Sequence, residues 1–443
     1  MQNPPASLRG FAVFWFGQVV SLIGSAMTWF ALMIWAYEET GQATPLALLG
    51  ALSFGATVLF SPFAGALVDR WNRKLVLLIS DTTSGLATFG VLALYLAGQL
   101  QIWHLYAIGF LAGTFQAFQY PAYGAAVTMM VPKEQYARAG GMLELAWSAS
   151  SVLAPLLAGM LLGRIGVAGI MAIDLLTFLF AMSTLLFVSV PQPPRSRAGS
   201  EAKGSIWQES GYGFRYIWAR PSLLALLSIF SIVNLVDYAG FTLFAPLILA
   251  RTGTDELLLG TVQSVGALGG VIGGALLATW GGSRRRIHGV LLGWSLSSLG
   301  ILLMGVGRGL YVWLIASFTY AFFEPFVNGS NQAIWQLKVA PDVQGRVFAT
   351  RFLLSQSTVP LAMLLVGPVA DHLFEPAMMP GGVLAEPFGW LVGTGPGAGM
   401  ALMCVCAGLA AVLLPLLGYA VPLVRDVEHL IPDHDAAVPE PLA

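Results

Sequence analysis

The sequence predicts an all-α membrane protein of twelve transmembrane helices arranged as two six-helix halves. Three observations carry that reading. Hydrophobic residues make up 57% of the 443 and charged residues 10%, against about 45–50% and 25% in soluble domains, and the mean hydropathy is +0.76. Apolar runs of the roughly 20 residues needed to cross a hydrocarbon core about 30 Å thick recur along the chain. Basic residues gather on alternate connections, as they do when they resist translocation. A disordered chain, a collagen-like repeat and a secreted disulfide scaffold are excluded, the last because the only cysteines, Cys404 and Cys406, share one apolar run. A formal net charge of -1 predicts no nucleic-acid partner; the lipid bilayer is the expected surrounding.

Each span is bounded by charge, Pro or Gly. The first, 11–37, follows Met1 to Gly10, which lack a cleavage site after a short apolar core, so it reads as retained. The second, 45–67, runs into the charged Asp69 to Lys74 loop, and the third, 75–97, leaves it. The fourth, 102–130, stops at Val131-Pro132-Lys133-Glu134; the fifth and sixth, 139–162 and 167–190, flank Arg164. The seventh, 223–250, ends before Arg251, the eighth, 257–280, before Arg284-Arg285-Arg286, and the ninth, 287–306, before Arg308. The tenth and eleventh, 310–335 and 347–371, are separated by a loop with Lys338 and Arg346, and the twelfth, 398–421, precedes Arg425. With this division 18 of the 21 basic residues fall on one side, leaving only Arg164, Arg251 and Arg308 on the other. The basic side is cytoplasmic by the positive-inside rule, which places both termini there.

Pro191 to Ser222, with Pro191, Pro193 and Pro194 followed by Arg195 and Arg197, reads as a cytoplasmic linker. It divides the chain into an N-terminal half, 1–190, the linker, 191–222, and a C-terminal half with a short cytoplasmic tail, 223–443. The halves echo each other at an offset of about 208: Val131-Pro132-Lys133-Glu134 with Arg138 against Val339-Ala340-Pro341-Asp342 with Arg346, and Gly65 against Gly273. Parallel six-helix repeats of this kind occur in secondary transporters.

After the second span comes Gly65-Ala66-Leu67-Val68-Asp69-Arg70-Trp71-Asn72-Arg73-Lys74. It resembles, in residues and in placement, the signature loop of the major facilitator superfamily. A small residue at Gly65 permits close helix approach, and Asp69 with Arg70, Arg73 and Lys74 has the composition of a surface charge network. The resemblance implies that these residues form a conformational latch that holds the outward-open state, with Asp69 facing the start of the eleventh span. Asn72 departs from the usual Gly, but Asn tolerates left-handed backbone geometry. The matching loop of the second half keeps Gly274 and the Arg284-Arg285-Arg286 cluster but has no Asp, so only the first-half latch reads as complete. In the fifth span Gly141, Ser150, Ala154-Pro155 and Ala158-Gly159 resemble the glycine-proline pattern of antiporters in the superfamily, and ordinary small-residue packing explains them equally well. The Tyr37-Glu38-Glu39-Thr40-Gly41 turn, the signature loop and the Val427 to Asp433 tail look like those of macrolide-efflux and siderophore-exporter members.

Ionisable groups at membrane depth are costly, so each is a functional candidate unless it lies near an interface. Asp237 and Glu324 sit about 14 residues into their spans, roughly 21 Å deep at 1.5 Å per residue. Asp81, Glu144 and Asp174 lie nearer span ends, where anchoring is the simpler role. Polar stripes at helical spacing mark Gln18, Ser21, Ser25 and Thr28 in span one, Gln116, Gln119 and Tyr123 in span four, Ser231, Asn234 and Tyr238 in span seven, and Glu324, Asn328 and Asn331 in span ten. These four spans line the central cavity in the superfamily. Gln18, Gln116, Gln119, Tyr123, Asn234 and Asn328 are therefore the expected substrate contacts, and Asp237 and Glu324 the expected proton-coupling groups. Interhelical hydrogen bonding is the competing role for any single stripe.

The expected activity is proton-coupled export of amphipathic small molecules by alternating access, in a monomer that uses no cofactor and no metal. A nutrient importer or facilitator shares the same motifs. A membrane-embedded enzyme or scaffold fits less well, because H-E-x-x-H, G-x-S-x-G and P-loop spacings are all missing from the sequence.

Overall fold

The computed structural model describes residues 8–70, 73–130, 136–187, 213–339 and 344–433, and among them no strand occurs. Helix α1 spans Leu8–Thr40, α2 Ala43–Arg70, α3 Arg73–Leu96, α4 Ile102–Met130 and α5 Tyr136–Phe187. After a helical stretch over 213–218 come α6, Pro221–Thr242, α7, Phe244–Thr252, α8, Glu256–Trp280, α9, Arg286–Val306, and α10, Leu310–Lys338. Then follow α11, Gln344–Gln356, α12, Thr358–Val369, a π turn Ala370–Phe374, α13, Glu375–Met378, α14, Ala385–Val392, and α15, Ala398–Leu417. The protein is an all-helical membrane protein.

Among the described residues, ten stretches are long and apolar enough to cross a membrane. One of them, Leu145–Phe187, lies in α5, whose 52 residues would measure about 78 Å if straight, far more than a bilayer core. The chain turns instead at Gly166, where φ is 66° and ψ 179°, a geometry that costs a residue with a Cβ. The 29-residue α4 is a further helix beyond those ten. At the other short connection Gly41, with φ 63°, ends α1 by donating its N–H to the Tyr37 carbonyl at 2.7 Å, a left-handed cap. The eleventh span is longer than its expected 347–371 and runs from Val347 to Met378. The short α14 falls in a stretch read from sequence as a connection.

The chain forms two compact units by internal contact: Met1–Lys203 with Ile248–Ser264, and Gly204–Leu247 with Val265–Ala443. In the first, small residues let helices approach: Gly17 and Gly24 of α1 lie against Thr184 and Thr177 of α5, and Gly113 of α4 against the Ser53 backbone of α2. Thr57 donates to the Gly113 carbonyl at 2.9 Å across that contact. In the second, α9 and α10 are joined through Gly307–Gly309 as an antiparallel hairpin. Gly300 packs on Ala316 and Tyr320, and Ser297 donates to the Tyr320 carbonyl at 2.7 Å. The buried cluster of this unit includes Leu226, Phe230, Leu291, Trp294, Ile334 and Trp335. Glu375 holds the start of α15, accepting the N–H groups of Gly397 at 3.0 Å and Met400 at 2.7 Å, a carboxylate placed where the helix exposes unpaired donors.

Candidate functional site

In the second unit the α6 residues Asn234, Asp237 and Tyr238 stand at i, i+3 and i+4, one face of one helix. Asp237 is 1% exposed. Its two oxygens are taken by neighbouring helices: Ser298 of α9 donates to Oδ1 at 3.0 Å and Tyr320 of α10 donates to Oδ2 at 2.8 Å. Both donors are neutral hydroxyls, and together they bind three helices at one carboxyl group. The Tyr320 ring stacks on Phe241 at 5.0 Å, which fixes the direction of its hydroxyl.

One helical turn beyond Tyr320, Glu324 faces a cavity of about 60 Å³ lined by Phe230, Asn234, Tyr238, Trp294, Val327, Asn328 and Gln356. That volume admits a few waters and not a drug-sized ligand, whose pocket measures roughly 300–1,000 Å³. Asn328 donates to Glu324 Oε2 at 2.8 Å, an i, i+4 pair. Asn234 donates to the Ser355 carbonyl and to Gln356 Oε1, both at 3.2 Å; a carbonyl only accepts, so the amide of Asn234 has one possible orientation. Asn331, on the same predicted stripe, is 1% exposed and does not line this cavity. The structure thus brings Asn234, Glu324 and Asn328 together, with Asp237 beside them.

The first unit gathers its amides differently. Gln18 of α1 donates to Asp81 Oδ2 at 3.0 Å, and Gln119 of α4 donates to Asp81 Oδ1 at 2.8 Å. Asp81, buried on α3, is the fork of a three-helix network. Gln116, three residues before Gln119, is exposed. Asp174 of α5 accepts Ser25 at 2.9 Å and Thr88 at 3.0 Å, so a second buried carboxyl also sits among neutral hydroxyls. Lys74 donates to the Leu186 carbonyl at 3.1 Å. The backbone of Gly65, Asp69, Arg70 and Arg73 is helical, but their side-chain surroundings and those of Tyr123 lie outside the described residues.

Sequence reasoning passed over Phe230, Trp294, Gln356 and Ser298. Phe230 is four residues before Asn234 and Trp294 four before Ser298, so helical spacing carried the signal once a partner was known. Gln356, from a span whose first half is polar, carried none.

Comparison with known proteins places these observations in a family. The model of the Major Facilitator Superfamily matches residues 14–363. Macrolide efflux protein A of Streptococcus pyogenes is 27% identical over 372 residues, 82% of this chain and 90% of that protein. Enterobactin exporter EntS of Shigella flexneri is 26% identical over 226 residues, 50% of this chain and 53% of that protein. The crystal structure of a POT family transporter superposes with a TM-score of 0.66 at 12% identity, covering 95% of this chain and 98% of the other, a likeness of fold alone.

Proposed function

The chain belongs to the major facilitator superfamily and is a transporter rather than an enzyme, and from that premise we propose that it exports amphipathic small molecules in exchange for protons. The observation that carries the proposal is Glu324, a carboxyl at membrane depth that faces a water-sized cavity with Asn234 and Asn328 and lies one turn from the Tyr320–Asp237 bond. Such a group is costly in a span, which makes it a functional candidate by default. A carboxyl open to a few waters can take up and release a proton, whereas Asp237, with both oxygens bonded and its side chain buried, is better suited to relay the change to α9 and α10. The likeness to a macrolide efflux protein over 372 residues and to an enterobactin exporter over 226 supports bulky, partly apolar substrates of the macrolide or siderophore kind.

In this reading twelve spans form two halves, 1–190 and 223–443, joined by a cytoplasmic linker at 191–222, with both termini cytoplasmic in a bacterial inner membrane and the monomer as the working unit. The halves alternate access to the two sides. The Gly65, Asp69, Arg70, Arg73 and Lys74 loop latches the outward-open state, and Gln18, Gln116, Gln119, Tyr123, Asn234 and Asn328 contact substrate. A ligand can move such an equilibrium only through different affinities for its two states. The test is uptake into inverted proteoliposomes under an imposed pH gradient, with a macrolide, a catecholate siderophore, a lipopeptide and a sugar as candidates. Gradient-dependent accumulation of at least one of the first three is expected; accumulation of the sugar alone contradicts the proposal.

A further inference from the structure

The second-half loop, basic at Arg284-Arg285-Arg286 and without an acid of its own, obtains one from far along the chain. Glu428 Oε2 accepts the N–H of Ile287 at 3.1 Å, and Glu428 Oε1 lies 3.8 Å from Arg286. This carboxylate caps the start of α9, where backbone donors are unpaired and negative charge is favoured. Arg285 meets the ring of His429 at 3.2 Å. At the far end of α10, Lys338 has a side chain only 3% exposed. Its ammonium donates to the carbonyls of Glu428 and Ile431, both at 2.6 Å, and to Asp433 at 2.7 Å. An ammonium has three N–H groups, and all three acceptors come from this one segment. Val427, fully buried, anchors the segment in the apolar cluster that also holds Ile287 and Ile334.

These contacts have a common geometry. α9 and α10 are antiparallel, closed at one end by the short Gly307–Gly309 connection, so Ile287 and Lys338 mark the open end of the hairpin. The segment Val427–Asp433 ties both helices at that open end. The hairpin bears Ser298 and Tyr320, the two donors to Asp237, and Glu324. We propose that Val427–Asp433 is a clasp for the α9–α10 hairpin, with Glu428 as the acid its basic loop lacks and Lys338 as the positioning residue beneath it, so that the helices carrying the carboxyl site move as one body. The clasp stands on these contacts; its effect on turnover rests on the exporter reading above.

Three variants separate positioning from bare charge compensation: the chain ended after Asp426, the same chain with Lys338→Met, and Glu428→Ala in the full chain. Each is read by Tm in detergent, by amide exchange at Ile287, and by pH-driven transport of erythromycin. Ending the chain leaves a buried lysine unmatched, a strongly destabilising change, so Tm is expected to fall. Lys338→Met removes that charge and is expected to recover part of the lost Tm, the apolar contacts of Val427 still being missing, while turnover stays reduced by roughly fivefold or more at little-changed KM. Glu428→Ala keeps every partner of Lys338 and is expected to speed exchange at Ile287 by about tenfold through local opening. Wild-type Tm and turnover in the shortened chain overturn the clasp. So does a Lys338→Met variant that recovers turnover together with Tm, for then the segment only neutralises a lysine, and so does unchanged exchange in Glu428→Ala. If the wild-type chain moves no erythromycin, the exporter reading is what fails for that probe, and Tm and exchange still decide the clasp.

Discussion

Asp81 shows how much one carboxyl can organise through two neutral donors. Its two oxygens accept one amide each, from Gln18 and Gln119, and so join α1, α3 and α4. Asp81→Asn keeps the shape but replaces one acceptor with a donor, leaving one glutamine facing an N–H. A buried polar group deprived of its partner costs about 1–3 kcal/mol, and a lower midpoint of thermal unfolding is the expected result. Adding Gln119→Glu restores the match, since the new amide on α3 then donates to the new carboxylate on α4 and still accepts from Gln18. Recovery of the midpoint in the double variant is expected, and additive losses contradict the fork. Part of this chemistry was legible in the sequence. Depth and i, i+4 spacing were enough to pair Glu324 with Asn328, because one helix carries both. Asp81 was read as an anchor, yet which residues it anchors depends on three helices meeting, and no local pattern encodes that.

At the level of elements, the bend in α5 rests on one residue. Gly166 holds φ 66° with nothing within 4 Å of where a Cβ would stand, so Gly166→Ala introduces backbone strain without a steric clash. With ψ at 179° this is an extended positive-φ conformation held essentially by glycine alone, which costs other residues about 1–3 kcal/mol, and Tm is expected to drop accordingly. Gly163 makes the control: it too has open space around it, its conformation is helical, and Ala there is expected to leave stability unchanged or slightly raised. Equal losses at the two positions contradict the assignment of the turn to Gly166. The interruption between 162 and 167 was readable because Gly163, Arg164 and Gly166 break an apolar run. The helix Ala385–Val392 was not, since eight residues between glycine-rich connections lack the length that marks a span. The continuation of the eleventh span to Met378 was hidden by Asp371 and His372, polar residues that end a hydropathy run while the backbone winds on through a π turn.

For the whole molecule, the membrane class and the family follow from properties spread along the chain, namely hydropathy, the side on which Arg and Lys collect, and the signature loop. Such signals survive uncertainty at any one residue, which is why the fold was legible where the site was legible only in part. The acid of the second-half loop illustrates the difference. Reading loop by loop, Arg284-Arg285-Arg286 had no carboxylate, whereas in the folded chain Glu428 supplies it. Depth, a small polar cavity and the neighbouring Asp237 coincide at Glu324, and in the proposed function this carboxyl carries the proton that drives export. Glu324→Gln retains shape and hydrogen bonding while removing titration, so the decisive measurement compares two modes of transport by this variant in proteoliposomes, pH-gradient-driven accumulation and substrate counterflow without a gradient. Loss of the first with retention of the second is expected. Wild-type gradient-driven accumulation by Glu324→Gln would contradict that role.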